Sequence, residues 1–192
     1  MKIYRTTKRI LDATLSFTLL TALCPILLCI MALIRLDSKG PAIFKQKRVG
    51  RNGKLFTCYK LRTMKQGTPE RSRAELPNAQ SYTTRVGAVL RRYGIDELPQ
   101  LFNVLIGDMS LVGPRPLIPS EEPCHRMRTD CGIYTLRPGI TGLAQIKSRN
   151  VGNAYCRVSL DFEYFCKKSI KFDALILFYT LFPQNSPSFI PD

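Results

Sequence analysis

From Ala13 to Ile34 the chain runs for 22 residues without a charge, ATLSFTLLTALCPILLCIMALI. A helix rises ~1.5 Å per residue, so this run reaches across a hydrocarbon core about 30 Å thick. A cleavable signal is a poor match, because the run is too long for one and Arg35 and Asp37 follow it without a small-residue cleavage site. Three arrangements stay open: a helix that crosses the bilayer, a buried core helix, and a helix–break–helix that dips into one leaflet and returns. Pro25 favours the third, because a proline removes one backbone hydrogen bond and clashes with the preceding turn. The flanks favour it too. Lys2, Arg5, Lys8 and Arg9 precede the run and Arg35, Lys39, Lys45, Lys47 and Arg48 follow it, whereas a crossing helix keeps its positive charge on one side. The break is expected at Cys24-Pro25, with hydroxyls such as Thr21 satisfying the backbone groups it frees.

Basic charge gathers around the same run. Residues 1–65 carry 14 Lys/Arg against two acids, while the other 127 residues hold 15 against 12. Such a patch suits anionic lipid headgroups, phosphorylated substrates or nucleic acid. Seven cysteines without a C-x-x-C, two of them inside the apolar run, and one histidine (His125) point to free thiols rather than a disulfide or zinc framework.

The rest reads as a small helix-dominated α+β domain. Alternating apolar residues flank Asn52-Gly53, which predicts a β-hairpin studded with lysines and arginines. Residues 66–83 are polar, with two prolines, and read as a surface loop. Val86, Val89, Leu90 and Tyr93 recur at helical spacing, and Leu98, Leu101, Phe102 and Leu105 mark a second short helix ended by Gly107. Gly113-Pro114-Arg115-Pro116 forms a rigid loop, and 137–146 reads as a turn and a short strand. Phe172, Leu175, Ile176 and Tyr179 give an interfacial or core helix that Pro183 ends. The chain divides into a membrane segment (1–37), a globular domain (38–182) and a tail (183–192).

Asp96-Glu97 stands out in so basic a chain. At the N-cap or first turn of a helix the dipole favours anions and lowers a carboxylate's pKa. An ionised aspartate there is either a nucleophile toward phosphorus, a ligand for a divalent cation, or simply a helix cap. Arg91, Arg92 and Arg115 lie close in sequence, and arginine forks suit phosphate. Carboxylates, arginines and Mg²⁺ together suggest phosphoryl transfer. The chain has no P-loop, no G-x-G-x-x-G after a strand and no G-x-S-x-G. A basic hairpin without RNA-binding aromatic motifs gives little support to a nucleic-acid partner.

The order of KRILD, a proline-broken apolar run, GPAIFKQKRVGRNGKLFTCYKLRTM, LRRYGIDELPQLFNVLIGDMSLVGPRP and RPGITGLAQI resembles the bacterial sugar transferases, the monotopic polyprenol-phosphate phosphoglycosyl transferases. The resemblance covers roughly Lys8 to Thr180. It implies a re-entrant membrane helix, a catalytic domain at the cytoplasmic face of the bacterial inner membrane, a UDP-sugar donor, a polyprenol phosphate acceptor and Mg²⁺. Asp96-Glu97 matches the family's catalytic dyad, with Asp96 as nucleophile and Mg²⁺ ligand. Arg91 and Arg115 match its phosphate-binding arginines, and Lys60 and Arg62 are further candidates. The chain departs from the family at the break, Cys24-Pro25 in place of Ser-Pro, and in IKSRNVGNAYCRVSL after Gln145, with no Trp. The rival reading is a membrane-anchored basic binder or scaffold in which the dyad is only a cap. The sugar and the oligomeric state stay open.

Overall fold

The structure, a computed structural model, describes residues 2–69, 81–147 and 154–182. The tail 183–192 and residues 70–80 of the expected polar loop lie outside these. A single helix, α1 (Lys2–Asp37), takes up the whole apolar run and both basic flanks. Among the described residues it is the one helix long and apolar enough to cross a membrane. It does not unwind at Cys24-Pro25 as the sequence suggested: the helix continues through Pro25. Thr21 Oγ donates to Phe17 O at 2.9 Å, so the hydroxyl joins the preceding turn and leaves Thr21 O, the carbonyl that Pro25 deprives of a donor, as it was.

Two strands follow, β1 (Ile43–Val49) and β2 (Leu55–Leu61), paired antiparallel from Ile43↔Leu61 to Val49↔Leu55. Their connection needs left-handed backbone at Asn52 (φ 57°) and Gly53 (φ 72°), which these two residue types adopt at little cost. With a period of two, Phe56, Cys58 and Lys60 share one face of β2. Phe56 and Cys58 are buried in the main core, and Lys60 lies at the end of that row.

Helix α2 (Arg85–Tyr93) starts at Thr84, whose hydroxyl accepts from Gly87 N, and stops at left-handed Gly94. Helix α3 (Gln100–Ile106) stops at Gly107, also left-handed. Two three-residue strands, β3 (Ser110–Val112) and β4 (Gly139–Thr141), pair in parallel. Polar helix α4 (Glu122–Asp130) lies between them and carries His125, whose ring nitrogens contact Tyr134 Oη and Ile118 O. Only three residues of 137–146 form a strand; α5 (Leu143–Lys147) follows at once. The aromatic C-terminal stretch is two helices, α6 (Ala154–Lys167) and α7 (Ile170–Leu181), divided where Ser169 Oγ caps α7 by accepting from Phe172 N.

The main core joins β2, α3, β3 and α7 around Val104, Met109 and Ile176, each fully buried and worth roughly 1.5–3 kcal/mol in burial. Helix α1 adds Leu20 to this core, and Ile34 to a second cluster with Ala42, Leu61 and Leu90. Polar contacts bind both of its ends to the same body. Near the start, Asp173 of α7 accepts from Tyr4 (2.9 Å) and lies 3.0 Å from Lys8, while Ser110 donates to buried Asp12 at 2.7 Å. Near the end, Asp37 accepts from Val86 N at 3.1 Å and so caps α2. Between the two anchors Thr21, Ala22, Cys24, Pro25 and Ile26 are exposed.

Candidate active site

Asp96 and Glu97 sit on a 3₁₀ turn, Ile95–Glu97, that links α2 to α3. Glu97 N donates to Gly94 O and Leu98 N to Ile95 O, at 3.3 and 3.2 Å. The sequence placed the pair at the N-cap or first turn of the second helix, but Pro99 occupies the cap and α3 begins at Gln100. A helix dipole therefore acts on them only weakly. Burial instead holds the Asp96 carboxyl above its ordinary range, as does the neighbouring Glu97 charge, while Lys60 and Arg91 pull it down.

Asn103 fixes the turn against β2. This fully buried side chain accepts from Tyr59 N (3.0 Å) and donates to Thr57 O (2.7 Å), acting as one more rung on the strand's edge. Lys60 then reaches Glu97, Nζ to Oε1, at 2.6 Å. Arg91, in the last turn of α2, donates from Nε to Thr63 Oγ1 at 2.7 Å. Gly87 permits this approach, since a Cβ there would lie 2.2 Å from Thr63 O.

Arg115 is exposed on a loop held from three sides. Its own carbonyl accepts from Arg128 Nη1 (2.7 Å), Pro114 O from Gly139 N (2.9 Å) and Pro116 O from Arg48 Nη1 (2.9 Å). Arg48 is the site residue that sequence reasoning missed, having counted it only among the flanking charges. Burial and the nearby Arg115 charge push its guanidinium below the ordinary value, with Glu97 among the charges opposing them. Its place in β1 opposite Phe56 could have flagged it, because a charge on that row faces the interior.

Arg62 does not join this group. Only 6 % exposed, it donates to Lys39 O (2.6 Å), Ser38 O (2.6 Å), Ser38 Oγ (3.0 Å) and Ile34 O (3.3 Å). The guanidinium is spent on the carbonyls at the end of α1, so the phosphate role expected of Arg62 is withdrawn. Cys24 and Pro25 are exposed within α1 and share no hydrogen bond or ion pair with the Asp96 group among the described residues. No group of three or more His, Cys, Asp or Glu side chains that could hold a metal occurs among the described residues. Asp96 is compatible with Mg²⁺ all the same, because this ion commonly takes one or two carboxylates and completes its shell with substrate phosphates and water.

The result is an α+β domain clamped to a long apolar helix, with two carboxylates beside Lys60 and Arg91, and Arg48 interacting with both Glu97 and Arg115: a class of protein with a basic, carboxylate-centred site. Residues 3–184 match the Bacterial sugar transferase family, and the chain belongs to that family. It is 42% identical over 175 residues to the uncharacterized sugar transferase EpsL of Bacillus subtilis, covering 91% of this chain and 85% of that protein. It is 40% identical to an undecaprenyl-phosphate glucose phosphotransferase of Komagataeibacter xylinus, covering 91% of this chain but 35% of that longer protein. To a UDP-glucose:undecaprenyl-phosphate glucose-1-phosphate transferase of Caulobacter vibrioides it is 39% identical, covering 91% and 68%.

Proposed function

We propose that the chain transfers a phosphosugar from a UDP-sugar to a polyprenol phosphate, releasing UMP, as a first membrane step of bacterial glycoconjugate synthesis. The observation that carries this reading is the half-buried Asp96 beside a Glu97 already paired with Lys60 at 2.6 Å. The pairing neutralises Glu97 and leaves Asp96 as the carboxylate with a free role. Four cations against two carboxylates leave a surplus of positive charge, which suits a diphosphate.

In the first half-reaction an Asp96 oxygen attacks the phosphorus bearing the sugar. The bond to the uridine-side phosphate breaks, and UMP leaves with the bridging oxygen. In the second, an oxygen of the polyprenol phosphate attacks the same phosphorus and expels the Asp96 carboxylate, giving a polyprenol diphosphate-sugar. Lys60 and Glu97 orient Asp96, and Arg91 and Arg115 hold the donor phosphates with Arg48 behind them. Mg²⁺, held by Asp96 and the donor, would neutralise phosphate charge.

The same reading makes α1 re-entrant, with the domain on the cytoplasmic face of the inner membrane. Its support is that Tyr4, Lys8 and Asp12 at one end and Ile34 and Asp37 at the other all bind one body. A bilayer between them would part those contacts. The exposed stretch around Pro25 is the tip that enters lipid, and a bend there needs no non-helical residue.

The test uses the intact protein in nanodiscs with a panel of UDP-sugars and undecaprenyl phosphate. UMP release should depend on Mg²⁺ and fall to background in Asp96→Asn. Without acceptor, the wild-type mass should rise by one phosphosugar. Full turnover in Asp96→Asn sinks the assignment of nucleophile.

A further inference from the structure

A cavity of about 70 Å³ lies between the first turns of α1 and the β3–β4 side of the domain, and it shares no residue with the Asp96 group. A water needs ~10–15 Å³ on the same measure, so a phosphate group fits. Its lining includes Arg5, Lys8, Arg9, Arg51 and Arg137 against Asp12. Lys8 is neutralised, lying 3.0 Å from Asp173 and 3.6 Å from Asp12. The four arginines have no carboxylate within 4.0 Å among the described residues.

Backbone carbonyls hold three of them in place. Arg9 donates to Val104 O (2.5 Å) and Leu105 O (2.7 Å), Arg51 Nε to Thr135 O (3.0 Å) and Arg137 Nε to Gly107 O (2.8 Å). The Nη groups of Arg51 and Arg137 have no protein acceptor among the described residues. Burial, together with the charges of Arg51 and Arg9, pushes the Arg137 guanidinium below its ordinary value. Cations crowded in this way gain most from an anion that enters between them. The same end of α1 exposes Ile3 (83 %), Ile10 (60 %) and Leu11 (42 %), so an anion with apolar tails matches better than a free one.

We infer that this arginine-lined cavity is a binding site for the phosphodiester headgroup of an anionic phospholipid, separate from the site around Asp96. Such a lipid would fasten the first turns of α1 at the membrane surface.

The experiment titrates the intact protein in neutral detergent with dioctanoyl phosphatidylglycerol, dioctanoyl phosphatidylcholine and inorganic phosphate, by calorimetry. Phosphatidylglycerol should bind best. The double variant Arg5→Gln/Arg51→Gln should lose about thirtyfold in affinity for it, from two basic side chains near a lipid surface, whereas Lys45→Gln/Lys54→Gln on the β1–β2 pair should change it less than about threefold. Equal losses in the two doubles would mean a diffuse field and overturn the site. Tight binding of inorganic phosphate without preference for phosphatidylglycerol would overturn the lipid. If the first double melts below wild type, Arg5→Gln alone is decisive: Arg5 is exposed and holds no protein hydrogen bond among the described residues, and its loss should cost about fivefold.

Discussion

Replacing Arg62 by Met separates the role the structure gives this residue from the one its sequence neighbourhood suggests. Methionine keeps most of the apolar stem but removes every donor. Ile34 O retains Ser38 N at 3.2 Å, so the carbonyls of Ser38 and Lys39 are those left without Arg62. A buried acceptor stripped of its donor costs ~1–3 kcal/mol, but Ser38 is only half-buried and Lys39 exposed, so water takes over part of the lost bonding and the loss comes to about 2 kcal/mol. At roughly 2–4 °C per kcal/mol for a chain of this size, the melting temperature should fall by about 4–8 °C. Heating with a thiol-reactive dye reads this out, since Cys58 and Cys124 are buried until the domain opens. Below the melting range KM for the UDP-sugar should stay within about twofold of wild type, because nothing that touches the donor has gone. Arg62→Lys should fall in between, keeping the charge without the fork. An unchanged melting temperature with KM raised tenfold or more would refute the reasoning and return Arg62 to the phosphate site.

In the proposed mechanism the nucleophile is ionised Asp96, and burial holds its pKa above the ordinary value, so kcat/KM should decline as pH falls through that raised pKa. Lys60→Gln removes a charge that pulls the pKa down; the acidic limb should move to higher pH and kcat/KM fall about 10²–10³-fold at neutral pH, and an unmoved limb would exclude Lys60 from the environment of Asp96. Gly87→Ala sets a methyl 2.2 Å from Thr63 O, so α2 must retreat from the segment that follows β2. A stability loss of ~1–3 kcal/mol and about a 10²-fold lower kcat/KM, as Arg91 shifts by an ångström or so, should appear together in melting and initial-rate assays.

Periodicity made α2 legible from Val86, Val89 and Leu90, and Gly94 and Gly107 marked where chain direction changes. The Asp96-Glu97 pair stood out because acids are rare in this chain, yet its setting was misplaced. Leu98 has the spacing of a helical residue, but Pro99 defers α3 and leaves a 3₁₀ turn. Strand β3 escaped notice because three residues carry no alternation, whereas the short strand expected within 137–146 is β4; their parallel pairing, Ser110 with Gly139 across α4, left no mark in either segment. Helix α4 escaped because its residues are mostly polar, without an apolar stripe. Lys60 and Arg62 look equivalent at a spacing of two. The strand ends at Leu61, however, and beyond it the alternation that would have put both side chains on one face no longer holds.

The bond from Tyr4 to Asp173 joins residues 169 positions apart. At 5–20 residues per second, roughly 8–35 s of synthesis separate the two. In the proposed membrane arrangement the apolar run of α1 is available to lipid throughout that interval, while the Asp173 part of its first anchor does not yet exist. Whatever orientation the nascent helix takes at the membrane has to be compatible with later capture by α7. Orientation is thus settled twice, once by lipid and flanking charge and again by a carboxylate near the other end of the domain. A chain that stops short of α7 keeps the first decision and the bonds of Asp12 to Ser110 and Arg9 to α3, but lacks the carboxylate that holds Tyr4 and Lys8.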